Sequence, residues 1–172
     1  MKSFLKKFRK NLITGAERGV SMLSLLYPFL EVNMYFGAKV FMATENMDLK
    51  TFWVYNLLPL VKFYESNIYL FFAIMIIAFL GSVRNTWNTS RYVRFNIIQG
   101  ILLEVLITCF SQIFLVTPVF LRESLAGICI AQAIYIATHV AILYCIVHII
   151  YGKYPIMPVL TEGARLNIQW FR

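Results

Sequence analysis

The sequence predicts an all-α integral membrane protein: a four-transmembrane-helix bundle with short amphipathic interfacial helices. Three observations predict it. Of the 172 residues, 60% are hydrophobic and only 14% charged, against about 25% charged in an average soluble domain. The mean hydropathy is +0.70. The apolar residues fall in runs long enough to cross about 30 Å of hydrocarbon, and those runs leave no segment for a separate catalytic domain. Residues 1–172 therefore read as a single membrane domain.

Taken in order, residues 1–19 form a basic amphipathic N-terminus. Phe4, Leu5, Phe8 and Leu12 share one helical face, with Lys6, Lys7, Arg9 and Lys10 around the rest of the turn, the pattern of a short helix in the headgroup region or of a solvated basic tail. No small-residue cleavage site follows a short apolar core, and no acid-poor, Ser- and Arg-rich leader precedes the first span. The first span, about 20–43, is the least apolar, with Ser21, Ser24, Pro28, Glu31 and Asn33. Pro28 removes one backbone hydrogen bond and predicts a kink near it. A carboxylate at membrane depth is costly, so this helix should be sheltered by its neighbours.

Residues 44–66 mix Glu45, Asp48, Lys50 and Glu65 with Trp53, Tyr55, Leu57 and Leu58. That mixture suits a connection along the far interface, where amphipathic aromatic rings are favoured, and Pro59 should interrupt any helix within it. The second span, about 67–83, carries no charge. Arg84, Arg91 and Arg94 follow it in a short polar loop.

The third span, about 95–120, sets Asn96, Gly100, Glu104, Thr108 and Ser111 at separations of three or four, which gathers them on one face. Such a stripe must meet other helices or line a wet cavity, because lipid would leave it unsatisfied. The fourth span, about 125–151, has Ala133, Ala137, Ala141 and Cys145 at four-residue spacing, with Gly127 and Ala131 on a similar rhythm. Small residues so spaced let helix backbones approach closely in membranes. In the C-terminal interfacial tail, 152–172, Thr161 is placed to cap a short helix.

Orientation follows from the basic residues. Twelve of the 16 Lys and Arg fall on the side of the two termini and the Arg84–Arg94 loop, and four (Lys39, Lys50, Lys62 and Arg122) on the other. The positive-inside rule then puts both termini on the cytoplasm-like side, cytosol in a bacterium or stroma in a plastid. A membrane protein's basic excess needs no nucleic-acid partner, and no recognition motif accompanies it.

Chemistry-bearing residues are few. Cys109, Cys129 and Cys145 all lie in apolar runs, form no CxxC pair and read as packing residues. His139 and His148 are nine positions apart on opposite faces of the fourth span, so they cannot share a metal. His139 reads as a hydrogen-bonded packing residue or as a proton relay or ligand. Glu31 and Glu104 are the carboxylates expected at membrane depth, either bonded across helices or keeping a passage hydrated. The sequence holds no HExxH, GxSxG or Walker loop, which argues against an enzyme and offers no catalytic, cofactor or metal site.

The segment Arg84–Glu104, RNTWNTSRYVRFNIIQGILLE, carries Arg84-Asn85 after a span, then Ser90-Arg91-Tyr92-Val93-Arg94-Phe95-Asn96, Gln99 and Leu102-Leu103-Glu104. Two flanking blocks agree: Glu17-Arg18 with Tyr27-Pro28-Phe29-Leu30-Glu31 and Gly37, and Gly152-Lys153-Tyr154-Pro155 with Ile156, Pro158-Val159, Glu162 and Gln169. Together they resemble the Tic-twenty family, the multispanning subunit of the protein translocon at the chloroplast inner envelope, with relatives in cyanobacteria and algal plastid genomes. Two positions depart from its pattern: the loop after Arg84-Asn85 lacks a proline, and Val32 stands where a glycine is common. The resemblance implies a plastid inner-envelope protein, or a plasma-membrane one in a cyanobacterium, that contributes to a preprotein-conducting channel. The partners implied are other translocon subunits, passing preproteins and lipids, with no cofactor. Glu31, Asn96, Gln99, Glu104, Thr108, Ser111 and His139 are then the channel or packing residues, with Arg91 and Arg94 at the stromal mouth. The readings from other classes are a small-solute or ion transporter and a structural subunit without its own pore.

Overall fold

A computed structural model of the protein describes residues 15–87 and 89–169, all helix and connection with no strand among them. The expected headgroup helix of residues 4–13 lies outside the described residues. The first helical segment, α1, covers residues 15–23 and breaks at a turn over Ser24 and Leu25. Then come α2 (Leu26–Val32), a π-helical turn (Asn33–Gly37) and α3 (Ala38–Ala43). The break falls one turn before Pro28, whose missing N–H cannot reach the Ser24 carbonyl. The kink expected near Pro28 thus falls at the residue whose hydrogen bond the proline removes.

A second π-helical turn, Trp53–Leu57, joins α4 (Met47–Phe52) to α5 (Leu58–Ser66). Here the structure corrects an expectation. Pro59 does not stop the helix; the preceding π turn shifts the hydrogen-bond register and lets the chain wind on past it. At Asn67 the chain bends by 78° into α6 (Ile68–Arg84). Asn85 closes α6 in the left-handed conformation (φ 53°) that asparagine tolerates at helix C-termini. That geometry accounts for the Arg-Asn pair at the span's end.

α7 (Arg91–Val116) and α9 (Leu125–Ile150) are the two long helices. Ser90 and Ser124 cap them by accepting the N–H of Val93 and Gly127, satisfying donors the first turn leaves free. Pro118 separates α7 from the short α8 (Val119–Arg122). Both long helices are apolar enough to cross a membrane, and the bent pair Met47–Ser66 plus α6 supplies a third candidate if it is one span. The segment expected to be the first span breaks at Ser24–Leu25 and then winds through a π turn, so no single uninterrupted α-helix covers residues 20–43. The described fold thus holds two or three crossing candidates.

α10 (Leu160–Gln169) folds back against α7, with Ala164 and Ile168 joining Val83, Phe95 and Ile98 in one apolar cluster. Thr161 is inside its first turn rather than at the cap, and its hydroxyl accepts the N–H of Met157 at 2.8 Å. The main core gathers Leu25, Val32 and Phe36 of the first segment, Leu103 and Ile107 of α7, and Ala131, Tyr135, Ile142 and Cys145 of α9. Of the small residues expected to form a close contact, only some are used. Gly127 and Ala131 are buried, whereas Ala133 and Ala137 face outward.

α7 comes close to the first segment at Gly100, where a β-carbon would lie 2.8 Å from the Ser24 carbonyl oxygen. Pro28 leaves that carbonyl without its helical donor, and glycine lets α7 come up to it. Replacing Gly100 by valine should therefore cost about 1–3 kcal/mol, the usual range for overpacking. Gly19→Ala, which meets nothing within 4 Å, should not destabilise the fold and should add up to about 1 kcal/mol, the helix preference of alanine over glycine. Unfolding midpoints of the two variants in detergent micelles check this.

In the connection between the expected third and fourth spans, the Arg122 carbonyl and Glu123 Oε1 accept from Lys39 Nζ at 3.1 and 2.8 Å. The Lys39 hydrogen bond, aided by the charges of Lys39 and Arg122, holds the Glu123 carboxyl below its ordinary value of 4.5. A depressed folded value means the bridge is intact above the ordinary carboxylate range and is lost as pH falls through the depressed value. Acid titration followed by NMR should show Glu123 protonating below the free carboxylate, with Lys39→Met moving it back toward the ordinary value.

Candidate functional site

The polar stripe of α7 meets the first segment along its length. Starting from the Arg94 end, Asn96 Nδ2 approaches Ser21 Oγ at 3.4 Å, and Ser24 Oγ donates to the Ser21 carbonyl at 2.8 Å and lies 3.3 Å from that of Asn96. Gln99 points elsewhere: its Nε2 donates to the Pro155 carbonyl at 3.2 Å and lies 3.5 Å from Thr161 Oγ1. It pins the C-terminal segment to α7. Ser111 donates back to the Ile107 carbonyl within its own helix at 2.9 Å.

Glu31, Glu104 and Thr108 come together at the middle. Thr108 Oγ1 donates to Glu31 Oε1 at 2.9 Å, and Tyr64 Oη, from α5, donates to Glu31 Oε2 at 2.8 Å. The Glu31 carboxylate is thus held at both oxygens, between α2, α7 and α5. Glu104 is placed one turn before Thr108 and reaches its hydroxyl only at 3.4 Å through Oε1. Its Oε2 is buried with no partner among the described residues. The two carboxylates, with Tyr27, Tyr35, Tyr64, Ile68, Phe72, Met75 and Thr108, line a cavity of about 170 Å³.

Above this cluster Asn33, in the π turn, accepts from Tyr135 Oη at 2.9 Å and donates to the Phe29 carbonyl at 2.8 Å. The link ties the first segment to α9. His139 is half-buried; its Nδ1 lies 2.8 Å from the Tyr135 carbonyl, and its ring packs edge-on to Phe29 at 5.6 Å. Neither contact brings it to Glu31 or Glu104.

Arg94 folds onto the end of α6, donating to the carbonyls of Ser82 and Val83. Arg91 is exposed in the first turn of α7. Arg18, not singled out from the sequence as a site residue, donates to the Ile150 carbonyl at 2.8 Å, and Tyr92 Oη to that of Ile149 at 3.3 Å. Cations at helix C-termini meet free carbonyls and the negative end of the helix dipole. Tyr64 and Tyr135 were also missed. Val61 and Tyr64, three apart on one face of α5, are its two buried residues, and that spacing was the available signal.

Among the described residues, no three His, Cys, Asp or Glu side chains gather to hold a metal. A second concavity, of about 860 Å³, lies between α7, α9 and residues 156–160 and is walled by Leu106, Phe110, Ala133, Ala137, Ala141 and Tyr144 among others. It is an apolar groove and not a chemical site.

Comparisons with known proteins agree with one another. Residues 16–164 match the family described as chloroplast import apparatus Tic20-like. The chain is 29% identical over 160 residues to a Tic20 family protein Ycf60 of Gracilaria tenuistipitata var. liui, covering 92% of this chain and 78% of that one. A Tic20 family protein of Synechocystis is 27% identical over 162 residues, 91% of this chain and 95% of its own length. The Arabidopsis thaliana protein TIC 20-II, chloroplastic, is 28% identical over 161 residues, 87% and 71% of the two chains.

The Glu31 junction makes a thermodynamic prediction. Tyr64→Phe and Thr108→Val each leave one carboxylate oxygen without its donor, at a cost of about 1–3 kcal/mol. Because both act on one carboxylate, the double variant should depart from additivity by about 0.5–3 kcal/mol. A double-mutant cycle read by unfolding in mixed micelles measures it, and strict additivity would mean the two hydroxyls do not act on a common group.

Proposed function

We propose that this chain, which belongs to the Tic20 family, is a membrane-embedded subunit of the protein translocon at the chloroplast inner envelope and contributes to the path of preproteins into the stroma. Family membership supports a role in chloroplast protein import at the level of the family. The observation that carries the reading is the extent of the match, which runs through the first segment, the α7 stripe and the C-terminal segment in one block, residues 16–164. In the proposed topology four spans, about 20–43, 67–83, 95–120 and 125–151, make one membrane domain with both termini toward the stroma. Other translocon subunits, passing preproteins and lipids are its partners, and the site performs no catalysis. In a cyanobacterium the corresponding location would be the plasma membrane.

The polar stripe supports a role in that path through its composition, since hydroxyls, amides and carboxylates exchange protein partners for water at small net cost. The stripe is closed in the described chain. α2 and α5 cover it, and the 170 Å³ cavity has room for only about five waters at the roughly 30 Å³ each takes in the liquid. A conduit would therefore open by separation of α2 from α7, with Glu31, Asn96, Glu104, Thr108 and Ser111 lining it and Arg91 and Arg94 at its mouth.

The same closure favours a second reading, a structural subunit without its own pore. Photo-crosslinkers at Thr108 and at Ala137 of the outer groove distinguish the two when a preprotein is arrested in transit. Capture at Thr108 is the expected result. If neither position captures the preprotein while import proceeds, the path lies outside this chain.

A further inference from the structure

The cavity between α2, α5, α6 and α7 holds more negative chemistry than the chain itself satisfies. Glu31 and Glu104 both line it. Among the described residues neither carboxylate makes a salt bridge; the ion pairs found there are Lys39–Glu123, Arg122–Glu123 and Arg165–Glu162. Glu104 is only 8% exposed, and its Oε2 meets no donor. A carboxylate carries about four lone-pair sites, and leaving such a group buried and unpaired is costly. The remaining walls are the rings of Tyr27, Tyr35, Tyr64 and Phe72, with Ile68 and Met75.

We propose that this cavity is a binding site for an alkylguanidinium or alkylammonium group, the chemistry an arginine or lysine side chain carries. The unpartnered Glu104 Oε2 supplies the missing acceptor, and the two carboxylates supply the charge. Aromatic faces within reach of a cation add an attraction of their own. The cavity's volume of about 170 Å³ suits one such head and the start of its stem. A hard metal ion is poorly served, because it asks for six or more oxygen ligands and the wall is largely ring and hydrocarbon. A guanidinium offers planar N–H donors that match a carboxylate. This inference does not depend on the translocon reading, since it concerns the isolated chain.

The test titrates ethylguanidinium chloride into the purified full chain in lipid nanodiscs, with sodium chloride withdrawn to hold ionic strength constant. A saturable rise in the unfolding midpoint is expected, weakened roughly tenfold or more in affinity by Glu104→Gln, as loss of one charged hydrogen-bond acceptor implies, and unchanged by Glu162→Gln at the surface. Met75→Lys supplies a built-in ammonium: that variant should fold, where an ordinary buried lysine would not, and should no longer respond to the probe. An arginine-containing peptide against its citrulline counterpart then tells a side-chain source from a free ion. A wild-type response that is absent, fails to saturate or is matched by potassium chloride overturns the proposal, whether or not the variants fold. So does a saturable response that Glu104→Gln leaves intact.

Discussion

The carboxylate of Glu31 is the point on which the bundle's interior turns. Hydrocarbon offers no donor, so a carboxylate carried into it must find its partners on neighbouring helices. Thr108 of α7 and Tyr64 of α5 provide them, one to each oxygen. Those two bonds fix three helices in rotation and height at once. Asn33, two residues on, extends the registration to α9 through Tyr135, and Ser21 and Ser24 extend it toward Asn96. The apolar core of Val32, Phe36, Leu103 and Ile107 fills the space between these bonds. Burial supplies most of the energy, and the polar contacts choose which faces meet.

The cations act at the helix ends. Arg18 closes the last turn of α9, Arg94 the last turn of α6, and Lys39 the end of α8. Each places a positive charge where carbonyls lack helical donors. In the proposed topology Arg18 and Arg94 belong to the terminal side that carries the basic excess, and Lys39 to the opposite side. On that proposal, residues that count toward orientation by the positive-inside rule also terminate helices.

Much of this was legible in the sequence because it rests on periodicity. Asn96, Gly100, Glu104 and Thr108 recur at four-residue steps, so their common face followed from helix geometry alone, and so did the need for a partner. Which element would face them did not follow. Tyr64 is separated from Glu31 by 33 residues, across the non-helical connection of residues 44–46, and a local pattern does not encode such a pairing. What the chain does at each proline was hidden for a related reason. Pro28 and Pro59 announce a lost hydrogen bond, but whether the chain breaks, as at Ser24, or winds through a π turn, as at Trp53–Leu57, depends on what packs nearby. The small residues of α9 left the same choice open, since the spacing offered both the Ala133–Ala137 row and the Gly127–Ala131 row and the fold buries the second.

A helix pair that both closes a membrane protein and lets something pass has to meet two demands. Closed, its polar groups must be satisfied by one another, because lipid will not do it. Opened, the same groups must be satisfied by what enters. Hydroxyl-to-carboxylate contacts meet both, since water or a polar side chain replaces either partner at small net cost, whereas separating Val32 and Phe36 from Leu103 and Ile107 exposes apolar surface at about 25 cal/mol per Å². The resistance to parting α2 from α7 therefore lies in the apolar core around Glu31. On the proposed function, anything that opens the path has to offset that apolar term, either by supplying apolar surface of its own or by drawing α2 onto another subunit.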